Sequence, residues 1–546
     1  MKRRLATVQK QVTEWNYISG RKREDLFNEL KLDVVVTHSS GQSWRVPAYW
    51  AGGQEWRVRF LPPKSGSYEA STVCSDCNDP GLHDVRTILD VSAAEGGNPL
   101  YDHGPLRVAE SRRSFEHADG TPFFWLGDTW WMGLCNRLSW PEDIQLLTAD
   151  RVAKGFTVIQ IVAGLYPDMQ GFDERGANEA GFPWEEDYAR INPAYFDQAD
   201  LRIRWLVQSG LVPCIFGCWG YYLPLLGIAR MKQHWRYLIA RWSAYPVVWC
   251  LAGEAAMPYY LSRDKDGDRR KQVAGWTEMG RYVRETDPCS HLITIHPDKI
   301  GRDQVEDDSL LDFDMLQTGH GGPKSAANTV RVVSAERVRE PAMPVLVGEV
   351  NYEGIIHGTQ AEVQRLTFWA AFLSGAAGHT YGANGIWQVN TRDRPYGRSP
   401  HGGNWGITPW EDAWQLAGSF QVGCARQLLE RYPWWRFEPH QEWVDPSGSM
   451  ENVGNPFAAG IPEVVRVIYF FDPTFPWTAD RISVVAIEPT VQYRAFFWDP
   501  RDGETHDLGA VEPGDDGSWQ VPVQPTFDDW VLVLDATEAC CSLIGD

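Results

Sequence analysis

From about residue 115 to 385 the chain alternates two hydrophobic patterns. Short runs are continuously apolar. Longer stretches carry apolar residues every three to four positions. The first kind reads as parallel strands buried on both faces, the second as amphipathic helices. The apolar runs cover 123–128, 157–163, 211–219, 247–254, 292–297, 313–320, 344–351 and 378–384. Helical spacing occupies 141–154, 195–208, 235–244, 274–286, 326–339 and 361–374. Eight strands alternating with helices predict a (β/α)8 barrel. A doubly wound sheet is the structural alternative, but no Gly-x-Gly-x-x-Gly follows the first run, so a dinucleotide site is not indicated.

On either side the pattern becomes one of short alternating runs broken by Gly, Pro, Asn and Asp. Before the barrel these are 12–15, 32–37, 44–50, 56–61 and 86–91; after it they are 465–471, 483–487, 493–498, 518–521 and 529–534. Such spacing predicts a small β-sandwich at each end. The expected organisation is therefore an α/β chain with a sandwich at 1–105, a barrel at 106–435 and a second sandwich at 436–546.

In a barrel the chemistry sits at the C-terminal ends of the strands. The polar residues at those ends are Asp128 (first strand), Gln160 (second), Glu254 (fourth), His296 (fifth), Gln317 and His320 (sixth), Glu349 followed by Tyr352 and Glu353 (seventh), and His379 and Tyr381 (eighth). An apolar strand that runs straight into a carboxylate is costly unless that group is solvated, paired or used. Glu254 and Glu349 are two such groups. Glycoside hydrolysis needs such a pair, one holding a proton for the leaving oxygen and one ionised. The plainer reading of each glutamate is an ion pair at the rim. Asp128 is either a third catalytic carboxylate or a residue that contacts substrate hydroxyls or braces the mouth. Each histidine reads equally as a buried structural donor. A barrel metallohydrolase would open with His-x-His after the first strand, and that pair is missing.

Composition sharpens this picture. The 546 residues include 27 Trp, 20 Tyr and 22 Phe, and indole faces suit the C–H faces of sugar rings as well as a packed core. Trp130, Trp131, Trp219 and Trp387 lie near strand ends and are the candidate pocket walls. Fifty-one Lys and Arg against 72 Asp and Glu leave a net charge of -21, which disfavours nucleic acid and anionic membranes as partners. The ten cysteines form one Cys-x-x-Cys, Cys74 to Cys77, with no second such pair for a zinc ribbon. Cys540 and Cys541 are adjacent, and apolar positions such as Cys250 fit a reducing compartment. Behind the basic N-terminus there is no apolar stretch of roughly 7–15 residues typical of a signal peptide. The expectation is a cytoplasmic protein if Met1 is the native start, or a secreted or periplasmic one if a leader was trimmed.

Several segments resemble the apiosidase-like glycoside hydrolases. They are Pro122-Phe123-Phe124-Trp125-Leu126-Gly127-Asp128-Thr129, the stretches 154–160 and 291–297, Met315-Leu316-Gln317-Thr318-Gly319-His320, Gly348-Glu349-Val350-Asn351-Tyr352-Glu353-Gly354-Ile355, and 375–382. The resemblance implies a (β/α)8 barrel between an N-terminal β-sandwich and a C-terminal collagen-binding-type β-sandwich. It also implies Glu254 as acid/base and Glu349 as nucleophile. The family usually has Gly-Gly-Asp where this chain has Ala252-Gly253-Glu254. The longer side chain carries its carboxyl outward by a methylene, so the sugar accepted is expected to differ from apiose itself and to be another furanoside, a deoxy-sugar or a related glycoside.

The expected function is a retaining, exo-acting glycoside hydrolase needing no cofactor. Asp128, Gln160, His296, Gln317, His320, Tyr352, Glu353, His379 and Tyr381 are the candidate polar contacts to a carbohydrate substrate. A non-catalytic carbohydrate- or matrix-binding protein on the same scaffold is the alternative. The sequence gives no oligomeric state.

Overall fold

The computed structural model describes residues 3–471 and 482–536; Cys540 and Cys541 lie outside them. Its centre is an eight-stranded sheet of parallel strands. In chain order these are β1 (Trp125–Thr129), β2 (Val158–Val162), β3 (Val212–Phe216), β4 (Val248–Cys250), β5 (Ile293–Thr294), β6 (Asp314–Gln317), β7 (Val345–Glu349) and β8 (Gly378–Tyr381). The ladder runs from β5 through β1 to β8 and on to β6. Between β5 and β6 the Thr294 hydroxyl donates to the Phe313 carbonyl at 3.0 Å, and the Asp312 N–H to the Ile293 carbonyl at 2.8 Å. The expected (β/α)8 barrel is thus present, closed by side chain and turn where the ladder lapses.

The surrounding helices are α1 (Glu142–Ala153), α2 (Pro193–Gln208), α3 (Tyr222–Trp242), α4 (Lys265–Thr286), α5 (Pro323–Arg337), α6 (Ala361–Leu373) and α7 (Ala417–Leu429). Both α3 and α4 start earlier than their apolar spacing suggests. Gly227, at φ 75, interrupts the opening turns of α3. The opening turns of α4 are charged and solvated, and Asp264 caps them by accepting from the Gly267 N–H at 2.9 Å. Helix α7 has no sequence-local cap. Its Gly418 N–H is taken by Glu353, 3.1 Å away and 65 residues earlier, so no local signal announces it.

The far end of the barrel is plugged by a sheet of Leu106–Val108, Phe115–His117 and Pro122–Phe123. The Phe115 ring sits 5.3 Å from Trp125 and 5.1 Å from Phe313. Solvent is therefore excluded from that end, and the mouth at the opposite end is the open one.

Ahead of the barrel lie a five-stranded and a three-stranded sheet. The run at 44–50 divides into Ser43–Pro47 and Tyr49–Gly52, which join different sheets. Strands Arg3–Val8 and Gly66–Cys74 were not anticipated. The buried face of the latter is Tyr68, Ala70, Thr72 and Cys74, too small and polar to register as an apolar run. After the barrel come a six-stranded and a three-stranded sheet, with Phe457–Ile461 and Thr505–Ala510 as additional strands.

A buried arginine–aspartate pair fastens each flank to a barrel helix. Arg59, in strand Glu55–Phe60, reaches Asp200 of α2, which also accepts from Arg241 of α3 at 2.7 Å. Arg365 of α6 meets Asp529 through two hydrogen bonds of 2.7 and 2.6 Å. Among the described residues no helix is long and apolar enough to cross a membrane.

Candidate active site

Glu254 follows β4 and Glu349 ends β7. Local backbone features aim both. Gly253 forms a parallel bridge with Trp219, and a Cβ there would lie 2.2 Å from the Trp219 ring. Only glycine lets the indole pass over the chain, and its Nε1 then donates to Glu254 Oε2 at 3.1 Å. Glu254 itself adopts φ 42, in the left-handed region. Across the barrel, the β6–β7 pairing slips between Leu316 and Gln317, and Gln317 comes to lie opposite Glu349. Such a bulge re-aims a side chain. Here it turns the Gln317 amide to both acids, Nε2 standing 3.2 Å from Glu254 Oε1 and 3.2 Å from Glu349 Oε1.

Two histidines serve Glu349. His320 Nε2 lies 2.8 Å from Oε1 and His296 Nε2 lies 3.1 Å from Oε2. The tautomer of His296 follows from its other nitrogen. Nδ1 accepts the Glu254 backbone N–H at 3.2 Å, so the proton resides on Nε2 and faces Glu349. Tyr352 stands beside the same carboxylate and accepts from Trp131 Nε1 at 2.9 Å. Its ring stacks on Trp387 with centroids 5.9 Å apart.

These surroundings drive the two acids apart. Burial, the adjacent Glu349 charge and Asp168 push the Glu254 carboxyl up to about 8, against hydrogen bonds from Gln317 and Trp219 that pull it down. Burial alone would raise Glu349 as well. The hydrogen bonds from His296 and His320 outweigh it and hold Glu349 well below the usual carboxylate range. At neutral pH one group carries its proton and the other is ionised, the division that acid–base chemistry on one bond requires.

The pair opens onto a cavity of about 310 Å³, at the lower end of the roughly 300–1,000 Å³ of small-molecule sites. Of the residues expected there, Trp131, Trp219, Glu254, Gln317, His320, Glu349, Tyr352 and Trp387 line it. His296 lies fully buried just behind, touching both acids. Six others are not brought to the cavity. Asp128 is fully buried against Arg151 at 2.6 Å and also accepts from Trp130 Nε1 at 2.7 Å, which turns that indole away from the mouth. Gln160 donates to the Gly348 carbonyl at 2.9 Å and so braces β7 from within. Tyr381 donates to Glu353 at 2.5 Å, and Glu353 caps α7. His379 is buried behind β8 near Phe368, where burial lowers it to about 3 and keeps it neutral.

The cavity also holds residues that strand-end reasoning passes over: Asp168, Met257, Tyr260, Ile355, His401 and Trp405. They come from loops after β2, β4, β7 and β8. The aromatic and acidic types among them are the only sequence trace, since loops carry no periodicity.

Residues 109–436 match the family described as "Apiosidase-like, catalytic domain", and residues 11–75 match a domain of unknown function, DUF5060. Among solved structures, one described as a glycoside hydrolase is 22% identical with a TM-score of 0.63, covering 81% of this chain and 99% of its own. A glycoside hydrolase family 5 protein from Bacteroides vulgatus ATCC 8482 is 21% identical with a TM-score of 0.65, covering 81% of this chain and 95% of its own. At such identities the likeness establishes a shared fold. The curated proteins compared give no match. The match spanning the whole barrel decides the assignment: this chain belongs to the apiosidase-like family of glycoside hydrolases.

Proposed function

We propose that the protein removes a terminal sugar from a glycoside with retention of anomeric configuration, Glu254 acting as acid/base and Glu349 as nucleophile. The observation that carries this reading is the single Gln317 nitrogen lying 3.2 Å from an oxygen of each acid. Those two oxygens are no further apart than twice that distance. This bound on the nearest oxygens accommodates the ~5–5.5 Å of retaining pairs and lies at the short edge of the roughly 6.5–9.5 Å of inverting ones, which must admit a water.

In the first step Glu254 gives its proton to the glycosidic oxygen as the bond to the anomeric carbon breaks, and Glu349 bonds to that carbon. Forming the ester removes the Glu349 charge, one of the causes that keep Glu254 protonated. Glu254, having given up its proton, now holds its charge more readily. It then takes a proton from water, the water attacks the anomeric carbon, and Glu349 is released. His296, His320 and Tyr352 orient the nucleophile throughout. The small recess walled by Trp131, Trp219 and Trp387 supports exo action on a single sugar. A pentofuranoside, apiose-like or related glycoside is the proposed substrate, with residues 106–435 as the catalytic unit between flanking units 1–105 and 436–546.

Proton NMR of the first-formed product tests this reading. Retention requires the newly released sugar to have the anomeric configuration of the substrate before mutarotation. Appearance of the opposite anomer first would overturn it.

A further inference from the structure

Asp168 differs in its surroundings from the three buried aspartates described above. Asp128 faces Arg151, Asp200 faces Arg59 and Arg241, and Asp529 faces Arg365. Asp168 is only 5% exposed and lines the cavity, yet among the described residues no arginine or lysine is in ion-pair contact with it. It sits in the loop after β2 at φ 56, again in the left-handed region. Its carboxylate takes the indole N–H of Trp405, and its backbone N–H donates to the Tyr260 hydroxyl at 3.3 Å. A carboxylate has about four acceptor positions, so capacity remains. Burial pushes its proton affinity upward, and its polar neighbours, with His401 and Arg175 further off, offset that only in part. Such a group is expensive to bury unless a ligand completes its shell.

The cavity therefore lacks donors at Asp168, and a sugar hydroxyl can supply one. An anionic sugar is not suited, because Asp168 and Glu349 would repel it and, among the described residues, no arginine or lysine lines the cavity.

We propose that Asp168 is a specificity-determining residue that accepts hydrogen bonds from hydroxyls of a neutral sugar whose anomeric carbon lies between Glu254 and Glu349. This rests on the glycosidase reading above.

The experiment uses the full chain and a panel of 4-nitrophenyl α- and β-glycosides: pentofuranosides, pentopyranosides, 6-deoxyhexosides, hexosides and glucuronides. The best-cleaved member is then compared with its monodeoxy analogues in wild type, Asp168→Ala and Asp168→Asn. The near-isosteric Asn variant is read in the same way should the Ala variant fail to fold. The wild type is expected to favour a neutral sugar. Asp168→Ala is expected to lose roughly 10- to 100-fold in kcat/KM on the parent glycoside, the size of a charge-assisted hydrogen bond. On one deoxy analogue it should lose less than about threefold, because the bond is already missing there. Equal loss on every analogue, no loss at all, or preferred cleavage of a glucuronide would overturn the proposal and leave the catalytic pair intact. No cleavage of any panel member by the wild type would overturn both.

Discussion

The barrel mouth has two halves built from the same residue types. On the β4–β7 side, Glu254 and Glu349 share one amide nitrogen beside the open cavity, and two histidines contact Glu349. On the β8–β2 side, Asp128 and Glu353 end or follow strands in the same way, but each is taken up inside the protein, by Arg151 and Trp130 in one case and by Tyr381 and an amide of α7 in the other. A carboxylate after an apolar strand thus marks a buried charge without saying how it is answered. Where an arginine answers it, the charge is structural. Where two acids are left to answer each other, their proton affinities separate and chemistry becomes available.

The largest expected effect lies on the first side. Glu349→Ala should lower kcat by about four orders of magnitude or more, and azide in the assay should restore product as a glycosyl azide of inverted configuration. Glu254→Gln should cost on the order of 10²–10⁴-fold on poor leaving groups and far less on a 2,4-dinitrophenyl glycoside, which needs no protonation. Near-normal turnover by either variant would erase the distinction between the halves. Arg151→Met probes the other side. It strands a fully buried Asp128, so denaturant titration should register a loss of roughly 3–5 kcal/mol while kcat per folded molecule stays close to wild type. A collapse of kcat in a folded variant would bring Asp128 back among the catalytic groups. The subtlest test is the pH profile. The proposed acid role needs Glu254 protonated, so kcat/KM should fall as pH rises through about 8, where burial and Glu349 place that group. The proposed nucleophile role needs Glu349 ionised, and the depressed affinity of that group puts the acid limb far below neutrality. A basic limb near the ordinary glutamate range would mean that Glu254 is not the acid.

Much of this was legible in the chain because parallel strands buried on both faces write themselves as unbroken apolar runs. Glu254 and Glu349 stood out since each interrupts such a run. Asp128 interrupts one equally well, and its pairing was hidden by Arg151, which on a helix reads as a solvated charge until the fold turns it inward. Asp168, Tyr260, His401 and Trp405 were invisible for another reason. They sit on loops after three different strands, and only the path of the chain brings them to one cavity. The Gln317 bridge depends on a pairing slip that no residue pattern encodes.

The clasp between Arg365 and Asp529 bears on how this architecture can be divided. The family match ends at residue 436, which suggests a convenient place to cut. Yet a chain stopped there would leave a guanidinium stranded on α6 and would lay bare the Trp369 ring that now stacks against Tyr469, 5.9 Å away. The last sheet is therefore part of the barrel's outer wall, and a lineage exchanging it for another module would have to rewrite the receiving face of α6 at the same time.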